Sequence, residues 1–266
     1  LPAGMAAARC YDSLEMAGDV AWLWLEDISD DYEGAWPLAR YALTARHLGR
    51  LNGAFVHGGP LAELPWLSRQ RTRQWLAMGP LWQALPWDDP RVRRRYPSSE
   101  ANAFRRLLFE NERFLAKLDL LPKTLCHGDT YPTNFKARRL PGVEEQTVAL
   151  DWALVGIETI GDDLGQLVYG AHMALPDASL EDVDKTLFAS YLAGLHDSGC
   201  DLDWQWVRFG YVTAAAMRVG MFQVILLNDE LKGSDAADAP AIEHPAGADC
   251  FEVAMANEAF ELLAAI

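Results

Sequence analysis

The sequence predicts an α+β fold, because short apolar runs of strand length accompany long stretches with helical periodicity. Residues 21–25 form a continuous apolar run after Gly18 and Asp19, which favours a buried strand. Residues 147–150 form a second short run of this kind. Elsewhere, apolar residues mostly recur at steps of three and four, which is typical of amphipathic helices.

Local patterns complete the prediction of strands. Residues 9–15 can pair with residues 21–25 as a β-hairpin. Leu140, Pro141 and Gly142 supply turn chemistry ahead of the strand at 147–150. A segment that leads into this turn is therefore expected to return beside that strand.

Periodicity and end signals place the helices. After Pro37, apolar residues follow a helical spacing as far as Phe55, and Gly58, Gly59 and Pro60 then end the pattern. Residues 60–97 are rich in proline and tryptophan and predict short helices and loops. Residues 232–247 are rich in Gly, Ala, Asp and Pro and predict a mobile loop. Capping residues and apolar stripes predict four further helices, from Ser98 or Ser99 to before Pro122, from Ser179 to Gly199, from about Trp204 to Leu231, and from about Cys250 to Ala264.

Composition and charge limit the class of protein. The chain has 266 residues, enough to bury a sizeable core, and a formal net charge of −15. This charge argues against a nucleic-acid partner and is compatible with a cationic small molecule or a metal–nucleotide complex. The sequence has neither an apolar run of membrane-spanning length nor a signal-peptide pattern, so we expect a cytoplasmic protein without a membrane partner. Four widely spaced cysteines agree with a reducing compartment.

The stretch "LCHGDTYPTNF" at residues 125–135 concentrates polar side chains between a predicted helix and the predicted turn. It places Asp129 and Asn134 on a loop, and Asp151 follows the strand at 147–150. A strand, loop and returning strand can bring these three side chains together. The alternative interpretation of a lone His-Gly-Asp is a hydrogen-bonded polar turn that has no catalytic role.

Phosphoryl transfer is the chemistry that needs an Asp, an Asn five residues later and a further Asp at the end of a strand. Asn and Asp supply the hard oxygen ligands that Mg²⁺ prefers. A carboxylate within hydrogen-bond reach can orient an acceptor hydroxyl and take its proton. Kinases use this arrangement of residues. The matched Asn134 and Asp151 therefore favour an active site over a polar turn.

The segments "HGDTYPTNF" and "VALDWALVGIETIGDDLGQLV" resemble the signature of the aminoglycoside phosphotransferase and choline kinase superfamily. That resemblance implies a protein-kinase-like fold and ATP-dependent phosphorylation of a hydroxyl on a small molecule, which could be cationic. It implies that Asp129 is the catalytic base and that His127 orients the catalytic loop. Asn134 and Asp151 would bind Mg²⁺, and Asp163 would anchor the loop from the start of the next helix.

The segment "WLWLEDI" resembles the last strand of the N-terminal lobe and the hinge of this family. The resemblance implies that the backbone of Glu26, Asp27 and Ile28 binds the adenine of ATP, with Leu25 behind it. It assigns residues 1–28 to the end of the N-lobe sheet and the hinge. Residues 29–266 would form the helical C-lobe with its catalytic and metal-binding loops.

The front of the chain departs from the family pattern. The family carries a phosphate-covering hairpin and a strand lysine before the hinge, whereas no lysine precedes Lys117 here. The start without Met favours a fragment of a longer reading frame, for which we expect weak nucleotide binding and negligible transfer by the 266 residues alone. The alternative is a non-catalytic, kinase-like binding module. Because the rest of that lobe is missing from the 266 residues, we expect an exposed edge and uncovered Trp side chains at residues 21–25, and hence self-association through that strand or its packing against a neighbour in a crystal.

Overall fold

The architecture comes from a computed structural model that describes residues 1–18, 20–56, 64–77, 79, 83–233 and 246–266. The predicted loop at 232–247 falls mostly outside these residues, as do Gly58, Gly59 and Pro60. Helices and short strands both occur, which confirms the α+β prediction.

The described residues form three small β-sheets. Strands β2 and β3 form an antiparallel hairpin, and β4 pairs with β7 in the same sense. In the third sheet, β6 lies between β1, to which it is parallel, and β5, to which it is antiparallel. The strands are β1 Met5–Ala7, β2 Cys10–Met16, β3 Val20–Leu25, β4 Lys123–Cys126, β5 Phe135–Arg138, β6 Gln146–Ala149 and β7 Gly156–Thr159.

Helices make up most of the chain after residue 37. The described helices are α1 Leu38–Phe55, α2 Arg71–Leu76, α3 Pro90–Arg95, α4 Asn102–Phe109, α5 Asn111–Leu118, α6 Leu164–Ala174, α7 Leu180–Asp197, α8 Trp204–Gly233 and α9 Phe251–Ala265. Short 3₁₀ turns at Pro132–Asn134 and Trp152–Leu154 flank the hairpin of β5 and β6. The Ser179 side chain caps α7 by accepting from the Asp182 backbone N–H at 3.1 Å, as its capping pattern predicts.

The single helix predicted ahead of Pro122 is wrong, since α4 and α5 are separated at Glu110. The side-chain amide of Asn111 donates to the backbone oxygen of Leu108 at 2.6 Å. That bond gives this carbonyl a partner outside the helical ladder, which favours a break. Each half keeps its own buried face, so the apolar stripe seen in the sequence still packs on the core.

The core of the helical part depends on two closely crossing helices, α1 and α7. A Cβ on Gly49 of α1 would lie 2.2 Å from the backbone oxygen of Tyr191 on α7. Reciprocally, a Cβ on Gly194 would lie 2.0 Å from the backbone oxygen of Arg46. The crossing therefore requires both glycines, and it places α1 beneath the loop that follows β4.

Helix α8 is the central helix of the fold. The expectation that no apolar run reaches membrane-spanning length is wrong for this helix, which is long and apolar enough by length and composition, but 83% of its most apolar window is buried inside the protein. It packs against α6 and α9. These contacts explain its apolar composition as that of a core helix.

The prediction that residues 21–25 form a buried strand is correct for the strand and wrong for its burial. All residues of β2 and β3 are exposed. Trp22 and Trp24 are 55% and 44% exposed and contact each other edge to face. Two strands alone bury little, so an apolar run of strand length does not by itself specify a covered face.

We expect the β2–β3 hairpin to make the protein self-associate, because it presents an exposed edge and several large apolar side chains. Light scattering should show an apparent mass that rises with protein concentration. Replacing Trp22 and Trp24 with Ser should reduce this rise, whereas the same change at Trp66, which is 67% exposed outside the hairpin, should not. A concentration-independent monomer would contradict the prediction.

Candidate active site

The hairpin of β5 and β6 brings the predicted loop and strand-end residues side by side. Phe135 pairs with Ala149 at the open end of this hairpin. Just beyond that pair, the backbone N–H of Leu150 donates to the backbone oxygen of Asn134 at 2.8 Å. Asn134 and Asp151 therefore leave the ends of two neighbouring strands, as the strand, loop and strand pattern predicts.

Asp129 and Asn134 are in direct contact. The Asn134 amide Nδ2 donates to both the backbone oxygen and the Oδ2 of Asp129, each at 2.9 Å. The Asp129 side chain is 30% exposed, so its carboxylate is held in place but remains reachable. Because Nδ2 makes both bonds, the amide oxygen of Asn134 is left for another partner.

His127 links the loop that carries Asp129 to the end of strand β6. Its Nε2 donates to the backbone oxygen of Leu150 at 2.8 Å, and its Nδ1 accepts from the backbone N–H of Asp129 at 3.2 Å. Burial lowers the pKa of His127 below its ordinary value, which favours the neutral ring that this pair of bonds requires. The side chain is therefore placed to orient Asp129.

Asp163 holds the backbone of the loop. Its carboxylate accepts from the backbone N–H groups of His127 and Gly128, each at 2.9 Å, and from the Asn52 amide at 3.1 Å. Asp163 is fully buried at the N-terminus of α6. Gly128 has a positive φ of 86°, and a Cβ there would lie 2.1 Å from the backbone oxygen of Leu154. The tight turn of the loop therefore needs this glycine.

Asp151 has a strained backbone. Its φ is +53°, the one positive value at a non-glycine position among the described residues. Its side chain is exposed and accepts one long bond, 3.4 Å, from the backbone N–H of Ala153. Strained backbone conformations of this kind concentrate at functional sites. The carboxylate is thus available to a cation.

A cavity of about 540 Å³ opens beside the Asp129 loop. It is lined by Asp129 and Asn134 together with residues of α6 and α8, and by aromatic side chains that include Trp75, Tyr169 and Phe222. Asp129 and Arg218 are the charged residues among the described lining. The size is that of a small-molecule site.

Two buried arginines in this region were missed by the sequence analysis. Arg71 donates to the backbone oxygen of Leu154 and to the Asp162 carboxylate, both at 2.6 Å. Arg218 donates to the backbone oxygen of Gly128. An arginine inside the apolar stretch of α8 was an available signal for Arg218, whereas nothing in the proline-rich segment singled out Arg71.

The predicted adenine-binding residues lie outside this cavity. Leu25 is 52% exposed on β3, and the Glu26 carboxylate accepts from the Arg9 backbone N–H and from Arg138 of β5. The backbone bond from Arg9 is the largest cause of the lowered pKa of Glu26. Glu26 thus fixes the hairpin to the β5–β6 sheet, and the nucleotide role of residues 25–28 stays a prediction.

Taken together, a helical lobe with an Asp and Asn loop between short strands defines a kinase-like fold. No family model matches the sequence, and no curated protein matches it. Solved structures do match, which confirms the predicted fold.

Three of these structures are kinases of small molecules by their names. Choline kinase LicA from Streptococcus pneumoniae is 13% identical, and the match covers 98% of this chain and 76% of that chain with a TM-score of 0.51. A choline/ethanolamine kinase family protein from Mesorhizobium loti is 15% identical, with 98% and 78% covered and a TM-score of 0.53. Amicoumacin kinase hAmiN, solved with AMP-PNP, Ca²⁺ and Ami, is 15% identical, with 98% and 73% covered and a TM-score of 0.56.

Proposed function

We propose that the protein is an ATP-dependent phosphotransferase that acts on a hydroxyl of a small molecule. The observation that carries this proposal is the Asp129 carboxylate at the edge of a cavity of about 540 Å³, where Asn134 donates to the carboxylate and His127 accepts from the Asp129 backbone N–H. The three similar structures are kinases of small molecules by name, which supports the reaction class.

In this mechanism Asp129 orients the acceptor hydroxyl. Its Oδ2 is already bonded to Asn134, so Oδ1 is the oxygen left to accept from the hydroxyl. The acceptor oxygen bonds to the γ-phosphorus as the bond to the ADP oxygen breaks, and its proton passes to Asp129. His127 and Asp163 act through the loop and keep the carboxylate in place, while the cavity confines the acceptor.

The residues at the strand ends fit a divalent cation. Asn134 has a free amide oxygen and Asp151 a largely free, exposed carboxylate, and hard oxygen donors of this kind suit Mg²⁺. A bound Mg²⁺ would neutralise charge on the phosphates. The buried group of Cys126, Asp162 and Asp163 is a poorer candidate, because its two carboxylates bond to Arg71 and to the loop backbone.

We expect Asp151→Ala to weaken the binding of Mg²⁺–ATP at least about tenfold, because it removes one charged metal ligand. Calorimetry with ATP in the presence of Mg²⁺ and again with EDTA should show the loss only when the metal is present. Asp177→Ala changes an exposed carboxylate on the loop between α6 and α7 and serves as the matched control. Unchanged Mg²⁺–ATP affinity in Asp151→Ala would remove Asp151 from the metal site.

The second candidate function is a kinase-like binding module without catalysis. It is favoured by one observation, that Leu25 and Glu26, which were predicted to lie at the adenine site, lie outside the cavity that Asp129 lines. A single-turnover assay with γ-labelled ATP, Mg²⁺ and a panel of hydroxylated amines, sugars and apolar alcohols separates the two. Labelled acceptor supports the phosphotransferase. Binding of panel members without transfer, in every natural form of the protein, supports the module.

A further inference from the structure

Arg218 is a buried cation with few partners. Its side chain is only 9% exposed, and Nη2 makes its hydrogen bond, to the backbone oxygen of Gly128. Among the described residues, Nε and Nη1 have no hydrogen-bond partner. The nearest carboxylate oxygen, Oδ1 of Asp129, lies 3.8 Å from Nη2, which is beyond hydrogen-bond distance.

The surroundings keep the guanidinium in place and charged. Its central carbon lies over the Trp75 ring, 4.5 Å from the ring centroid, a cation–π contact that holds the guanidinium against the ring. Burial lowers the pKa of Arg218 to about 10, and the group therefore still carries its charge at neutral pH. Unpaired buried donors are unfavourable, so an acceptor that approached Arg218 would gain more here than at the surface.

Arg218 and Asp129 line the same cavity. A group bonded to Asp129 through a hydroxyl oxygen is therefore within a few ångströms of Arg218. During phosphoryl transfer, negative charge is spread over the three equatorial oxygens of the phosphoryl group next to that hydroxyl. Arginine suits such oxygens because its donors match phosphate geometry.

We propose that Arg218 is an oxyanion-binding residue that contacts the phosphoryl group as it arrives on the acceptor. This inference rests on the proposed function and extends it, because it adds a cation from α8 to the acceptor side of the reaction. Arg218 is then a catalytic residue in addition to the loop residues. The same chemistry could come from a carboxylate on the acceptor, and the experiment separates the two sources.

The test uses inorganic phosphate as the probe, with no nucleotide and no acceptor. Calorimetric titration at constant ionic strength should detect phosphate binding to the unaltered chain. Arg218→Gln should weaken phosphate binding by about tenfold or more. Arg218→Lys keeps the positive charge but loses the paired donors of the guanidinium, and it should weaken phosphate binding about threefold. Arg113→Gln removes one charge from a side chain that is 57% exposed on α5, and it should leave binding unchanged.

Acetate, titrated in the same way, identifies the source of the oxyanion. Weak acetate binding supports the phosphoryl group. Acetate binding that equals phosphate binding and depends on Arg218 moves the partner to a carboxylate of the acceptor. Absence of phosphate binding, or equal binding by Arg218→Gln, overturns the inference. If Arg218→Gln does not fold, an unchanged phosphate affinity in Arg218→Lys has the same consequence.

The phosphate titration tests the Arg218 site whether or not phosphotransfer is found. Phosphate binding that depends on Arg218, with no transfer in any natural form of the protein, keeps the oxyanion site and removes the proposed function. In a form of the protein that shows transfer, Arg218→Gln should lower kcat by about 10²–10³ with little change in the nucleotide KM, as for loss of a donor to developing charge. Transfer with an unchanged kcat in this variant overturns the catalytic role alone.

Discussion

Asp129→Asn should lower kcat by about 10²–10⁴ while the nucleotide KM changes little, because the asparagine can hold the acceptor but cannot take its proton. The measurement is single-turnover transfer from labelled ATP in whichever natural form of the protein carries the activity. The contact with Asn134 runs through Oδ2 and the backbone oxygen, so the variant keeps at least the backbone bond and should fold.

His127→Ala is the comparison for this effect. The histidine acts on Asp129 through the loop backbone, so its loss should reduce kcat less than Asp129→Asn does. Circular dichroism would confirm that both variants are folded. Turnover by Asp129→Asn near that of the unaltered protein would show that another group takes the proton.

Asp163→Ala should lower the free energy of unfolding by about 3–5 kcal/mol, because it leaves three buried donors without their acceptor. Urea denaturation followed by circular dichroism measures this loss. Asp163→Asn should cost less, since the amide oxygen can still accept from the backbone of His127 or Gly128.

Asp201→Ala is the control for this experiment, because Asp201 is an exposed carboxylate between α7 and α8. It should change stability by no more than about 0.5 kcal/mol. A loss below about 1 kcal/mol in Asp163→Ala would mean that the loop does not depend on this carboxylate.

The parts of the site that lie close together in the chain were predictable. Asn134 follows Asp129 by five residues, and the turn at 140–142 leads back to Asp151, so local spacing sufficed to place all three. The position of Asp163 at the start of a helix, where the helix dipole favours a carboxylate, was also a local feature of the sequence. Short motifs report such geometry because the intervening chain leaves few alternatives.

Contacts between distant parts of the chain were not predictable. Arg218 reaches Gly128 across 90 residues, and no local pattern encodes that distance. The apolar run of β3 misled about burial for a related reason, since such a run shows that a strand can be buried but not whether another element covers it. The uncovered Trp side chains were expected only from the departure of the front of the chain from the family pattern. The break at Glu110 depends on one side-chain bond that competes with the helical ladder.

Two neutral histidines hold strand β6 at opposite ends, and this makes the strand sensitive to acid. His127 donates to Leu150 beyond one end, and His47 Nδ1 lies 2.9 Å from the Thr147 hydroxyl near the other. Burial lowers the pKa of both rings, that of His47 to about 4. The unfolded chain takes up protons near pH 6.5, whereas the folded chain resists them down to about pH 4 at His47.

The stability that these neutral rings contribute is therefore complete above about pH 6.5 and is lost as the pH falls towards the lower, folded-state values. For His47 the loss reaches about 3 kcal/mol. A proton on the Nδ1 of His127 also removes the acceptor for the Asp129 backbone N–H. Acidification towards pH 4 thus weakens both the strand that leads to Asp151 and the loop that carries Asp129, because a neutral histidine holds each of them.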